Sequence, residues 1–322
     1  MTDEETLAEI ERQEKTPGLS ECGGFGKIIV MKIHCACLFA LVALCARAEE
    51  PHVAEIIAAV SESVAKLKAA DPEAVPMAFW DFDGTIIKGD IGDGFRERDG
   101  RGYRGLVDAS ILAGLTSVYR GEQGVRQWRA DYRRMAEIGA WLSQAFDVQM
   151  YAGTRASDLE AFCAKWIRDE GIAGWYFASS MAIWRALERL GVENCVVSAN
   201  IEPLIRGTAP SLGIPRERVR ASRAEIVGGR VTTKVLYPIP HGPGKVEAVR
   251  EFVLARPHGV AVAGFGNSYR TDGNFLRYIC SQPLPGGVKS ISVMINGGAE
   301  PKEYKGLFKL VDQQEICGEC TP

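Results

Sequence analysis

The stretch VPMAFWDFDGT, residues 75–85, limits what the chain can fold into more than any other. Val75 to Trp80 is a short, unbroken apolar run without helical period, the pattern of a central parallel strand covered on both faces. It ends on two aspartates one residue apart, Asp81 and Asp83, followed at once by Gly84 and Thr85. Neighbouring carboxylates at the rim of a core repel one another and lose hydration, so a fold retains such a pair only where the charge has a use.

The rest of the chain supplies the neighbours that strand needs. Over 53–69, apolar side chains at Val53, Ile56, Ile57, Val60, Val64 and Leu67 have the spacing of an amphipathic helix that stops before Asp71-Pro72. Helical periods recur over 123–135, 137–146, 157–169 and 179–190, and no strand-like run is expected in the block from about 95 to 180. NCVVSAN resumes the strand pattern and ends in a polar Ser198, and GVAVAGFGNS does the same toward Asn267. Residues 219–235 read as a hairpin with Gly228-Gly229 at the turn. Strands alternating with helices predict an α/β fold: a Rossmann-like, doubly wound parallel sheet, with the long helical block inserted as an all-helical cap domain. The expected divisions are an N-terminal extension over 1–48, core over 49–94, cap over 95–180 and core again over 181–322. There is no internal repeat and no low-complexity segment.

With 46% hydrophobic and 25% charged residues, the chain of 322 has ordinary globular composition. A net charge of −3, without a basic run interleaved with aromatics, offers little to nucleic acid or an anionic membrane, so small molecules are the expected partners. Residues 31–48 place Lys32 ahead of an apolar stretch of 12 residues, 35–46, and then Ala46-Arg47-Ala48. That is the pattern of an export signal, too short for a membrane span, and it predicts a periplasmic or secreted protein translated from Met31. The bulky Leu44 before Cys45 argues against lipidation. Beyond the leader remain Cys163, Cys195, Cys280, Cys317 and Cys320, an odd number that cannot pair fully within one chain. Cys317 and Cys320 form a CxxC without a second pair or nearby histidine, which suits a local disulfide, or no role at all, better than zinc.

Ligands of a doubly wound sheet bind beyond the carboxyl ends of its strands, so Asp81, Asp83, Ser198 and Asn267 are expected along one rim. DFDGT at 81–85, Ser198 after CVV, Lys245 in HGPGKVEAV and GFGNSYRTD at 264–272 resemble, in order and spacing, the four motifs of the haloacid dehalogenase superfamily of phosphohydrolases. The likeness spans about 77–296, and the hairpin AEIVGGRVTTKV ahead of a Gly-Lys helix start is similar to a stretch of the phosphoserine phosphatase branch. Singly, each motif has a plainer reading as a turn after a strand, a solvated lysine or a helix cap at Ser198. Four in order, each at a strand end or helix start, point to one site.

The resemblance implies a phosphomonoesterase acting on a small phosphorylated metabolite. Asp81 would be the nucleophile that carries phosphate, and Asp83 would protonate the leaving oxygen and then activate water. Extended backbone alone points the two carboxylates to opposite faces, so a turn starting at Gly84 is expected to bring both to the site, with Thr85 among the substrate-binding residues. Ser198 is expected to hydrogen-bond a phosphoryl oxygen, helped by the amides of Ala199 and Asn200 at a helix start. Lys245 is expected to stabilise the charge on the transferring group. Mg2+ is the implied cofactor, with Asp81, Asp83 through its carbonyl, Asn267 and Asp272 as ligands.

One departure concerns the metal. The family usually has Asp where this chain has Asn267, and Asp272 stands one residue further on than in the phosphoserine phosphatase pattern. A neutral Asn coordinates through its carbonyl oxygen but brings no charge, so a weaker metal site, or a larger share for Asp272, is expected. Three rivals share the scaffold: a phosphonatase, which needs a Schiff-base lysine from the cap; a dehalogenase, which lacks the second aspartate of the first motif; and a non-catalytic phosphate-ligand binder.

Asp90, seven residues beyond Asp83, stands where phosphoserine phosphatases carry an acid that meets the substrate amino group. It reads either as the mark of a substrate such as phosphoserine, phosphoethanolamine or phosphocholine, or as a solvated loop aspartate like Asp93. In the cap, Trp128, Tyr132 and Met135 have the spacing of a packed face between helices rather than of an ammonium cage. Arg126, Arg129, Arg133 and Arg134 are expected on its wet side.

Overall fold

The computed structural model describes residues 50–318. The expected export signal over 31–48, the start at Met31 and Cys320 lie outside the described residues. Helix α1 (Pro51–Ala70) begins with proline in its first turn, where a missing N–H costs nothing, and buries Val53, Ile56, Val60, Val64 and Leu67. The chain then forms β1 (Val75–Trp80), a small hairpin of β2 (Gly94–Arg96) and β3 (Gly102–Arg104), and helices α2 (Leu106–Leu112), α3 (Gly121–Ile138), α4 (Ala140–Gln149), α5 (Ala156–Asp169) and α6 (Ala178–Arg189). Next come β4 (Glu193–Ile201), α7 (Glu202–Leu212), β5 (Val219–Val227), β6 (Arg230–Leu236), α8 (Pro243–Ala255), β7 (Gly259–Gly266), α9 (Gly273–Ser281), β8 (Ile291–Ile295) and β9 (Lys309–Val311).

Seven of these strands make one sheet in the order β6-β5-β4-β1-β7-β8-β9. Its neighbours are parallel except in the β5–β6 hairpin, which turns at Gly228-Gly229 as expected. β1 lies at the centre, and its alternation divides the core in two. Met77 and Phe79 face the helices α8 and α9, while Ala78 and Trp80 face α1, α6 and α7. Trp80 stacks on Phe265 with ring centroids 3.7 Å apart, and its indole N–H donates to Asn194 Oδ1 at 2.9 Å. A side chain of this size, buried with its one polar atom satisfied, is worth about 3–5 kcal/mol on truncation.

The four expected helical periods are present, but the stretch from 95 to 180 is not free of strands. β2 and β3 pair antiparallel, Gly94 opposite Arg104 and Arg96 opposite Gly102. Three-residue strands are too short to show alternation, and Gly94, at φ 93°, is held by a close approach in which an added Cβ would lie 2.5 Å from the Gly105 nitrogen. α3 packs on α4, and α4 lies against β4, β5 and β6, so its inner face looks onto the carboxyl rim of the sheet. The ring of Trp128 meets that of Tyr132 at 5.1 Å in the packed face, and Arg126, Arg129, Arg133 and Arg134 are exposed. Among the described residues no helix is long and apolar enough to cross a membrane. Cys317 is disulfide-bonded, and Cys163, Cys195 and Cys280 are free thiols.

Candidate active site

Asp81 follows directly on β1, its backbone N–H donating to the Phe265 carbonyl at 2.9 Å, so the central strand pair aims its side chain. Asp81 Oδ1 accepts from Lys245 Nζ at 2.5 Å, and Oδ2 accepts from the Thr85 hydroxyl at 3.3 Å. Lys245 stands in the first turn of α8 and is 1% exposed. Its ammonium also donates to Asp272 Oδ1 at 2.5 Å. Asp272 in turn accepts the backbone N–H groups of Asn267 and Ser268 on Oδ2, at 2.9 and 3.0 Å. One buried cation is thereby shared by two buried carboxylates. Burial lifts the Asp81 carboxyl to about 7, helped by the Asp272 charge and opposed by Lys245. Burial works against the Lys245 ammonium, yet Asp272 and Asp81 outweigh it and its pKa lies above the usual lysine value.

The turn at Gly84 brings Asp83 to the same place. Gly84 has φ 71°, its N–H donates to the carbonyls of Ile87 and Gly89, and an added Cβ would lie 1.9 Å from Asn267 Nδ2. Glycine is needed there both for the left-handed turn and for the approach of Asn267. Asp83 Oδ1 accepts the Ile91 N–H at 2.7 Å, and Oδ2 has a long contact of 3.5 Å from Asn200 Nδ2. Burial, then the charges of Asp90 and Asp81, push its carboxyl well above the usual range.

A cavity of about 410 Å³ opens over these groups. Asp81, Asp83, Asp90, Ala199, Asn200, Lys245 and Asn267 line it, so seven of the ten residues singled out in the sequence converge. The other three stand behind the wall. Thr85 is fully buried; its hydroxyl reaches Asp81 and its carbonyl accepts from Ser180 and Gln313, so it stands behind Asp81 and not on the cavity wall. Ser198 Oγ accepts the Asn200 N–H at 3.1 Å and does not reach the cavity wall. The helix start expected at Ala199 and Asn200 is also corrected: both belong to the end of β4, and α7 begins at Glu202 with a proline in its first turn, after Ile201 in extended backbone as its N-cap. Asp272 is wholly buried, with both oxygens engaged, and so organises Lys245 and the 267–268 backbone.

The oxygen-bearing side chains on this wall are hard donors: Asp81, Asp83 and Asn267 all line the cavity. Mg2+ commonly takes one or two carboxylates and completes its shell with water and phosphate oxygens, so the donor set fits it. The carboxylates gathered here, with Asp81 and Asp83 both raised, also leave negative charge for a cation to offset.

Sequence reasoning misses Asp93, Tyr132, Gln144, Asp147, His241 and Arg270 as site residues, though all of them line the cavity. Asp93 reads in the sequence as a solvated loop residue and Tyr132 as a packing residue. Nothing in the sequence marks Asp147, a lone acid within an amphipathic helix. Burial, with Lys245 and Arg270, lowers the His241 pKa.

The family model for haloacid dehalogenase-like hydrolases matches residues 78–277. Among solved structures, a protein of unknown function from Bordetella pertussis Tohama I is 16% identical, with 74% of this chain and 99% of that one covered and a TM-score of 0.58. A conserved functionally unknown protein from Anaerococcus prevotii DSM 20548 is 12% identical, over 78% of this chain and 90% of that one, with a TM-score of 0.50. Cytosolic 5'-nucleotidase IIIB bound to cytidine is 16% identical over 85% and 91%, also at 0.50. At these identities the structural likenesses bear on the fold alone. No curated protein matches the sequence. The family match runs from β1 into α9 and so takes in both ends of the Asp81–Lys245–Asp272 chain of contacts: this protein belongs to the haloacid dehalogenase-like hydrolase family.

Proposed function

We propose that the protein is an exported, Mg2+-dependent phosphomonoesterase that works through an aspartyl phosphate on Asp81. The observation that carries this reading is the Asp81 carboxylate on the cavity wall, held by a lysine that a second buried carboxylate fixes in place. In the first displacement an Asp81 oxygen bonds to phosphorus while the ester P–O bond breaks. Asp83, whose raised pKa keeps a proton available, gives it to the leaving alcohol oxygen. In the second, water attacks phosphorus, Asp83 takes the proton back, and the bond to Asp81 breaks to release phosphate. Lys245 offsets charge on the transferring group. Asp81, the Asp83 carbonyl and Asn267 would hold Mg2+, with Asp272 behind them, and the ion supplies charge neutralisation between nucleophile and phosphate.

The test is release of phosphate from p-nitrophenyl phosphate with Mg2+ present and with it chelated. Turnover that needs the metal and falls at least a thousandfold in Asp81→Asn is expected, since the nucleophile is gone. An Asp81→Asn protein as fast as its parent would end the proposal, and silence under all conditions would favour a phosphate-ligand binder. Export is read from residues 31–48; N-terminal sequencing of the mature protein is expected to begin near Glu49, and retention of Met1 or Thr2 would exclude it.

A further inference from the structure

Gln313 follows β9, lies 228 positions beyond Thr85 in the chain and is 2% exposed. Asn296, which follows β8, grips its backbone at both polar atoms: the Gln313 N–H donates to Asn296 Oδ1 at 2.9 Å, and Asn296 Nδ2 donates to the Gln313 carbonyl at 2.9 Å. The side chain reaches the loop after β1. Its Nε2 donates to the Thr85 carbonyl at 3.1 Å and to Ser180 Oγ at 2.9 Å, and the Ser180 hydroxyl donates to the same carbonyl at 2.7 Å. Thr85 in turn gives its own hydroxyl to Asp81 Oδ2 at 3.3 Å. Thr85, Ser180 and Gln313 are all buried, so no solvent replaces a donor lost here. The chain beyond Gln313 lies against the same region. The Ala178 N–H donates to the Glu315 carbonyl at 2.9 Å and the Cys317 N–H to the Tyr176 carbonyl at 2.8 Å, while the Phe177 N–H donates to the Ile86 carbonyl at 2.8 Å and the Lys88 N–H to the Trp175 carbonyl at 3.0 Å. Residues 174–178 are thus held between the loop after β1 and the segment after β9.

We propose that Gln313 is a positioning residue for the active site: through the Thr85 carbonyl it fixes the loop 82–88, and with it the direction in which Asp81 presents its carboxylate. That loop turns on Gly84 at φ 71° and is followed by Gly89 at φ 92°, so its backbone has more freedom to lose than an ordinary turn. The paired donors from Gln313 and Ser180 on one buried carbonyl remove that freedom from the side away from the cavity. Plain core filling does not account for them. A carboxamide is costly in a core unless its polar atoms are paired, and an apolar side chain of the same size would fill the space without that demand. The donors are aimed at the one residue whose hydroxyl touches Asp81. A displacement of about 1 Å at a reacting group costs about a hundredfold in rate, so a remote hydrogen bond of this kind is felt at the nucleophile. This proposal rests on the phosphomonoesterase reading, in which Asp81 is that nucleophile.

The experiment measures kcat and KM on p-nitrophenyl phosphate, and amide hydrogen exchange over 82–88, in the wild type, Gln313→Met and Gln313→Glu. Gln313→Met keeps the length of the side chain and removes both donors; Ser180 still satisfies the Thr85 carbonyl, so the chain is expected to fold. Its kcat should fall about ten- to a hundredfold with KM changed by less than about threefold, the mark of a misdirected nucleophile rather than of lost binding. In Gln313→Glu the neutral carboxyl still donates to the Thr85 carbonyl, whereas the ionised form is repelled by it, and burial raises the pKa of the introduced group. The kcat of Gln313→Glu relative to the wild type should therefore recover as pH falls from about 8 to about 5, a response that a merely packed side chain does not give. A kcat in Gln313→Met within about twofold of the wild type overturns the proposal, and so does a Gln313→Glu ratio that is flat with pH. If the wild type hydrolyses no ester, it is the catalytic reading that has failed, and hydrogen exchange decides whether Gln313 fixes the loop. Exchange over 82–88 should quicken at least about tenfold in Gln313→Met, and unchanged exchange overturns the proposal.

Discussion

Replacing Asp81, the proposed nucleophile, is expected to stabilise the protein. The Asp81 carboxyl is raised to about 7 in the folded chain from an ordinary 3.8, so folding favours its protonated form. The stability this contributes is fully present below about pH 4 and is lost as pH rises through about 7. At pH 8 the ionised group therefore withholds on the order of 4 kcal/mol, with the attraction of Lys245 already counted. Asn at this position has the same shape and no charge at any pH, and Lys245 keeps Asp272 as its partner. Asp81→Asn should accordingly melt higher than wild type at pH 8, by roughly 10 °C at 2–4 °C per kcal/mol, and by little at pH 4. Thermal unfolding followed by circular dichroism, in chelator and without phosphate, measures the difference at both pH values. A variant less stable than its parent at pH 8, or a difference that does not shrink on acidification, would refute the reasoning. The proposed nucleophile would then be costing the fold nothing, against the usual trade between activity and stability.

Two further substitutions probe the same corner. Asp272→Asn removes a carboxylate that pairs with Lys245 and accepts two backbone N–H groups, so it should cost about 3 kcal/mol and lower the urea midpoint at unchanged m; an unaltered midpoint would remove Asp272 from its organising role. Gly84→Ala places a Cβ at positive φ against Asn267 Nδ2, which should cost about 1–3 kcal/mol and reduce kcat/KM at least tenfold; wild-type activity would show that the turn is not tied to Asn267.

The parallel core was legible because its strands are covered on both faces, and such strands read as unbroken apolar runs. Val75–Trp80, the two later runs and the Gly228-Gly229 hairpin all declare themselves in this way. β2 and β3 were not legible, since three residues cannot show a period and the glycines that place them act through close approach. At the site, Asp81, Asp83 and Lys245 follow strand ends or open helices, positions that chain order specifies. Thr85 and Ser198 have the same kind of position but face inward, a matter of side-chain direction that spacing does not carry.

By itself, then, the sequence determined the sheet, the family and the carboxylate at the tip of the central strand, because these depend on short apolar runs and on residues close to them in the chain. The tertiary structure alone decided that Asp272 holds Lys245 instead of facing the cavity, and that Asp147 joins Asp90 and Asp93. Asp147 lies on α4, more than fifty positions from Asp90 and Asp93 in the chain, and only the packing of α4 over the sheet rim brings all three to one cavity.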